Sequence, residues 1–139
     1  ERVVLPHRSA VDRVGALSVN RKATGDYAEQ LACGYLQRHG LQLLTRNYRC
    51  RRGEIDIVMR DGDSLVFVEV RYRHRTAFGT AAETVSTSKQ ARIIHCANCY
   101  LARYRAWNEP ARFDVVCIEG GSPQRRIEWL QNAFYLDSR

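Results

Sequence analysis

The chain contains no run of about 18 apolar residues, so no transmembrane helix is expected. Its first residues lack the continuous apolar stretch of a secretory signal. It also lacks the P-loop G-x-x-x-x-G-K-[ST], the dinucleotide fingerprint G-x-G-x-x-G and the G-x-S-x-G nucleophile elbow. Those absences argue against P-loop nucleotide hydrolysis, Rossmann-type redox chemistry and α/β-hydrolase catalysis. The histidines His7, His39, His74 and His95 show no metal-ligand spacing. The five cysteines are odd in number and irregularly spaced. Cys96-x-x-Cys99 alone resembles half a zinc site, but no second CxxC or HxxxH follows. Reduced thiols in a cytoplasmic protein are therefore expected. There is no internal repeat and no low-complexity segment. Lysine is scarce, present only as Lys22 and Lys89.

What the chain has instead is arginine. Lys plus Arg number 22 against 15 acidic residues, for a formal net charge of +7. Such a balance favours polyanions, of which nucleic acid is the commonest. Arginine's planar fork also suits phosphate oxygens. With 139 residues and 45% hydrophobic content, the chain suits one compact domain with a real core.

Residues 1–22 show no sustained periodicity and read as a tail, with a short helix near Val11–Leu17. In residues 24–39, Tyr27, Ala28, Leu31, Tyr35 and Leu36 recur at helical spacing. Thr24 is a candidate N-cap, and Gly40 suits the position past the end. Leu41–Tyr48, 54–60 and 65–72 read as strands, with Asp61-Gly62-Asp63 as a hairpin turn. A loop is expected over 73–82, then a helix over Thr84–Tyr104 with a hydroxyl cap within Ser86–Ser88. Arg112–Ile118 reads as a strand, 120–123 as a turn, and a last strand begins at Arg126–Leu130. The order α-β-β-β-α-β-β predicts an α/β fold, one mixed sheet with helices on its faces.

The hairpin carries two acids inside apolar strands, Asp56 and Glu69. A buried carboxylate without a partner is costly. A two-residue turn at Gly62-Asp63 would set Asp56 directly opposite Glu69. A turn at Asp61-Gly62 would set it one step along the same face, and a three-residue loop would separate the two. On one face, with Arg71 beside them, the carboxylates repel, and a divalent cation such as Mg²⁺ or Mn²⁺ resolves the conflict. The competing reading is an internal ion pair of Asp56 or Glu69 with Arg71.

Glu29, at the margin of the first helix's apolar face, is a third candidate ligand; otherwise it is an ordinary exposed helix residue. Arg49, Arg51 and Arg52 before the hairpin, with Arg73, His74 and Arg75 after it, would cluster at one end of the sheet. There they form a phosphate-binding surface or merely solvated loop charge. Lys89 and Gln90 open the second helix, where backbone N–H groups attract anions.

GEIDIV, a short spacer and FVEVRYR followed by FG resemble the YraN-like family of predicted bacterial endonucleases. The likeness extends upstream through AEQLACGYLQRHGLQLLTRNYR and downstream through VSTSKQARI, RFDVV and QNAF, over roughly residues 24 to 136. The resemblance implies a restriction-endonuclease-like three-layer fold over 23–139, similar to archaeal Holliday-junction resolvases. It implies metal-dependent cleavage of DNA, branched or structured DNA included. By position, Asp56 and Glu69 would hold Mg²⁺ or Mn²⁺, Glu29 would ligate or orient a water, and Arg71 would contact the scissile phosphate. Two residues depart from the pattern: Ala28 stands for a glycine, and Arg71 for the lysine of E-x-K. Arginine cannot act as a general base. The same fold could therefore serve as a nucleic-acid-binding protein that has lost catalysis. The resemblance also admits a homodimer, with the tail and the apolar Ala133–Leu136 as candidate faces.

Overall fold

A computed structural model describes residues 2–3, 20–74, 85–120 and 125–135. The elements are β1 (Arg2–Val3), α1 (Asn20–Arg38), β2 (Gln42–Cys50), β3 (Gly53–Asp61), β4 (Ser64–His74), α2 (Thr87–Arg103), β5 (Ala111–Gly120) and β6 (Arg125–Phe134). They form one mixed sheet in the order β1-β6-β5-β4-β3-β2. The expected α-β-β-β-α-β-β series is all present. Arg2–Val3 add a short edge strand, paired antiparallel with β6, in a segment expected as tail. The short helix expected near Val11–Leu17 and most of the 73–82 loop lie outside the described residues.

The helices cover opposite faces, which explains the apolar runs of the central strands. On β4, Val66 and Val68 join Ala28, Ala32, Cys33, Tyr35 and Leu36 of α1 in one core. Leu65 and Phe67 join Ile93, Cys96, Ala97, Tyr100 and Leu101 of α2 in the other. A strand covered on both sides has no polar alternation to display. Each large side chain so buried contributes about 1.5–3 kcal/mol. The pairing of β4 with β5 is parallel and needs a long crossover, which α2 supplies.

Local chemistry sets the element ends. Ser86 caps α2, its hydroxyl accepting from the Lys89 N–H at 3.1 Å. Gly40 follows α1 with φ +94°, and the next N–H, of Leu41, reaches back to the Leu36 carbonyl at 3.1 Å. Thr24 does not cap α1, because the helix begins a turn earlier, at Asn20. Tyr104, expected as the last helical residue, lies just past the end of α2 and is exposed, while Cys96 is fully buried.

One irregularity positions the site. The hairpin turn has two residues, Gly62 and Asp63, between paired Asp61 and Ser64. Gly62 there takes φ +60°, a conformation that suits glycine. That register sets Asp56 level with Glu69, yet the β3–β4 ladder stops at Ile57↔Val68. Strand alternation would put Ile55 and Ile57 on one face, but Ile55 packs in the α2 core and Ile57 in the α1 core. So β3 turns over at Asp56. Its neighbour β2 turns with it: Arg46 bonds Glu29 on α1, Tyr48 packs against Tyr100 of α2, and Asn47 between them has φ +54°.

Candidate metal and nucleic-acid site

The turnover at Asp56 frees a carboxylate inside the sheet. Its Oδ2 accepts the Val70 N–H at 2.8 Å, in place of the missing ladder bond. Glu69 projects from β4 on the α2 side, in line with Leu65 and Phe67. Asp56 and Glu69 are both buried, and their side chains hydrogen-bond each other. Burial first, and then the Glu69 charge, push the Asp56 carboxyl from its ordinary 3.8 up to about 7. Burial also raises Glu69, against the opposing pull of Lys89 and Arg71. Asp56 therefore keeps its proton until near neutral pH.

Two cations meet Glu69 at the same oxygen. Lys89 Nζ lies 3.6 Å and Arg71 Nη1 3.7 Å from Glu69 Oε2. Lys89 was expected to meet phosphate from the first turn of α2; it also reaches the acid. The lysine missing from the E-x-K position is thus present in space, carried by a helix instead of the strand. Nothing in the linear pattern pairs residue 89 with residue 69.

Glu29 stands on the α1 side. Its Oε1 is 3.3 Å from Arg46 Nη2, a partner that sequence reasoning had not singled out. Burial and the nearby Asp56 charge raise its pKa, and the Arg46 bond opposes them. Glu29 therefore senses Asp56, but the three acids do not converge within 4.8 Å of one another among the described residues.

The basic residues divide. Arg51 and Arg52 are exposed in the β2–β3 turn. Arg49 is also exposed and lies 3.3 Å from the half-exposed Glu54. A Cβ added at Gly53 would lie 3.5 Å from the Arg92 Cβ, so this turn abuts the start of α2. Arg73 is largely buried and bonds Glu119 at 3.2 Å, turning toward β5. Arg75 lies outside the described residues.

A third buried acid, Asp114, was not anticipated as one. Its carboxylate accepts from Arg112 Nε at 3.0 Å, Trp129 Nε1 at 2.9 Å and the Asn132 N–H at 3.1 Å. So many donors leave it a structural anchor, tying β5 to β6. The cysteines also depart from expectation. Cys50 and Cys96 form a disulfide, and only Cys33, Cys99 and Cys117 are free.

The fold and site define an α/β protein with a buried Asp–Glu pair at an opened strand ladder, flanked by a lysine and an arginine. Among the described residues, no helix is long and apolar enough to cross a membrane. The model of the family described as "Uncharacterised protein family UPF0102" matches residues 28–118. A UPF0102 protein from Nitrosococcus oceani is 52% identical over 115 residues, covering 82% of this chain and 93% of its own. Similar proteins from Vibrio cholerae (48% identical, 83% and 94% covered) and Pseudomonas putida (47%, 81% and 93%) bear the same family name. The chain belongs to the UPF0102 family, the YraN-like family its motifs resemble.

Proposed function

We propose that the protein is a Mg²⁺- or Mn²⁺-dependent endonuclease of DNA, with branched or structured DNA as the substrate class that the family resemblance suggests. The observation that carries this reading is the Asp56–Glu69 pair, two acids buried side by side where the β3–β4 ladder opens, with Lys89 and Arg71 on Glu69. Two carboxylates brought together in an interior are a common mark of a cation site.

The donor set fits such an ion. Carboxylate oxygens are hard ligands, as Mg²⁺ and Mn²⁺ prefer. Asp56 and Glu69 would hold the ion, with the Val70 N–H on Asp56 Oδ2 and Lys89 and Arg71 on Glu69 Oε2 as their present partners. The Val70 carbonyl is a further candidate donor. A bound Mg²⁺ or Mn²⁺ would supply Lewis-acid stabilisation to the phosphate and make water a stronger acid.

The chain's own residues do the rest. Lys89 and Arg71 hold the phosphate oxygens and stabilise the charge that builds at phosphorus in the transition state. Arg71 cannot take a proton from water, so it acts by charge alone. Lys89 adds an ammonium whose proton can reach a leaving oxygen. Glu29, across the sheet and raised by burial, orients water instead of meeting the ion directly. Arg49, Arg51 and Arg52 position the DNA backbone.

One observation favours a second reading, a DNA-binding protein without catalysis. Both cations already sit on Glu69 Oε2 and could replace a metal altogether. A cleavage assay separates the two, using labelled linear duplex and four-way-junction DNA with Mg²⁺ or Mn²⁺. The nuclease reading expects cation-dependent cleavage that falls by about 10²-fold or more in Glu69→Gln. DNA binding without cleavage in either metal would overturn it in favour of the second reading.

A further inference from the structure

We infer that the protein has a second metal site, distinct from the carboxylates: once the Cys50–Cys96 disulfide is reduced, Cys50, His95 and Cys99 form a three-ligand site for Zn²⁺, its tetrahedron completed by water.

The geometry comes from one helix face and one strand end. On α2, His95 and Cys99 are four residues apart, and Cys96 and Cys99 three, so all three lie on one side of the helix. Cys50 ends β2 and faces them, its Cα 5.6 Å from that of Cys96. The ligand atoms of Cys50, His95 and Cys99 lie within 4.8 Å of one another. No other group of three or more such residues does so among the described residues. His95 Nε2 and Cys99 Sγ are 3.8 Å apart. Zinc bonds of about 2.0–2.3 Å require ligand atoms roughly 3.3–3.8 Å apart, so small rotamer changes close the site. Cys50, His95 and Cys99 are half-exposed, which gives an ion access. Cys96 is buried beneath them and stands outside the cluster, so its reduction frees Cys50 for the ion.

Two thiolates and an imidazole are soft and borderline ligands. They select Zn²⁺ over the Mg²⁺ or Mn²⁺ suited to Asp56 and Glu69. The sequence drew attention to the wrong pair, Cys96-x-x-Cys99. The cluster instead joins Cys99 to His95, one turn back on α2, and to Cys50 at the end of β2.

The chemistry balances simply. A dithiol or phosphine reductant delivers two electrons, and with two protons the Cys50–Cys96 bond becomes two thiols. Binding Zn²⁺ to the thiols of Cys50 and Cys99 and the neutral imidazole of His95 then releases two protons to solvent. Disulfide and zinc are thus alternative fastenings of one joint. Either ties the end of β2, and with it the Arg51–Arg52 turn, to α2.

The test uses the full chain reduced by a phosphine under anaerobic conditions and titrated with Co²⁺ and then Zn²⁺. The expected result is intense visible bands of tetrahedral coordination and sulfur-to-cobalt charge transfer that saturate at one Co²⁺ per chain and are displaced by one Zn²⁺, any Co²⁺ on Asp56 and Glu69 adding only weak octahedral absorption. Zinc should also protect Cys50 and Cys99 from alkylation, read by peptide mass spectrometry. Cys99→Ser should weaken the binding that gives the sulfur-to-cobalt bands at least tenfold, whereas Asp56→Asn should leave those bands in place. No sulfur-to-cobalt bands, no stoichiometric binding, or full affinity in folded Cys99→Ser would each overturn the assignment. Because the spectrum is read first on the unaltered chain, the outcome does not depend on any variant folding.

Discussion

Replacing Asp56 by Asn should stabilise the metal-free protein at neutral pH. The carboxyl titrates near 7 in the fold against an ordinary 3.8. At about 1.4 kcal/mol per pH unit, keeping that group charged costs the fold about 4 kcal/mol once the pH exceeds 7. The sign follows from proton counting. Between pH 4 and 7 the folded state holds a proton that the unfolded chain has released, so stability falls as pH rises. Asn keeps an oxygen for the Val70 N–H, and the weaker neutral bond returns about 1 kcal/mol of the gain. Urea unfolding across pH 4 to 8 without divalent cations should show Asp56→Asn more stable by about 3 kcal/mol at pH 8. The advantage should vanish toward pH 4. Adding Mn²⁺ should raise the stability of the unaltered protein and narrow the gap, since only that protein gains from binding. Equal stability of the two proteins at every pH would refute the claim that Asp56 is a strained, buried acid.

Three further outcomes follow from named contacts. Lys89→Met should raise the Asp56 pKa further, because the Lys89 charge lowers it; carboxyl ¹³C titration reads the shift. Asp114→Ala should cost about 1–3 kcal/mol by taking the acceptor from the Trp129 N–H, the Asn132 N–H and Arg112 Nε, while Arg112 keeps Asp61, with unfolding by urea as the measure. Arg51→Ala with Arg52→Ala should weaken duplex DNA binding and reduce the slope of log K against log salt by about 1.8, if each meets one phosphate.

The fold was legible because its signals were local and mutually consistent. Tyr27 to Leu36 announced α1, Ser86 capped α2, and Gly62-Asp63 set a turn that fixed Asp56 level with Glu69. The start of α1 was missed because Thr24 resembled a cap while the helix runs back to Asn20. Arg2–Val3 carry no strand pattern of their own, and only pairing with β6 makes them one. The carboxylate pair could be read from residue parity along the hairpin. The turnover at Asn47 and Asp56 could not, because alternation assumes a regular strand. What met the pair was also hidden, since Lys89, Arg46 and the Cys50–Cys96 joint are long-range contacts that helix packing alone creates. The lysine sought at position 71 was found by folding, not by motif.

The central claim is that Asp56 and Glu69 hold a divalent cation, and calorimetric titration of the protein with Mn²⁺ tests it most directly. Near pH 6, in buffers of different ionisation enthalpy, one Mn²⁺ per chain should bind with release of about one proton, the one resting on Asp56. Glu69→Gln should abolish that binding. Absence of Mn²⁺ binding even with DNA present, or binding that survives Glu69→Gln unchanged, would contradict the account.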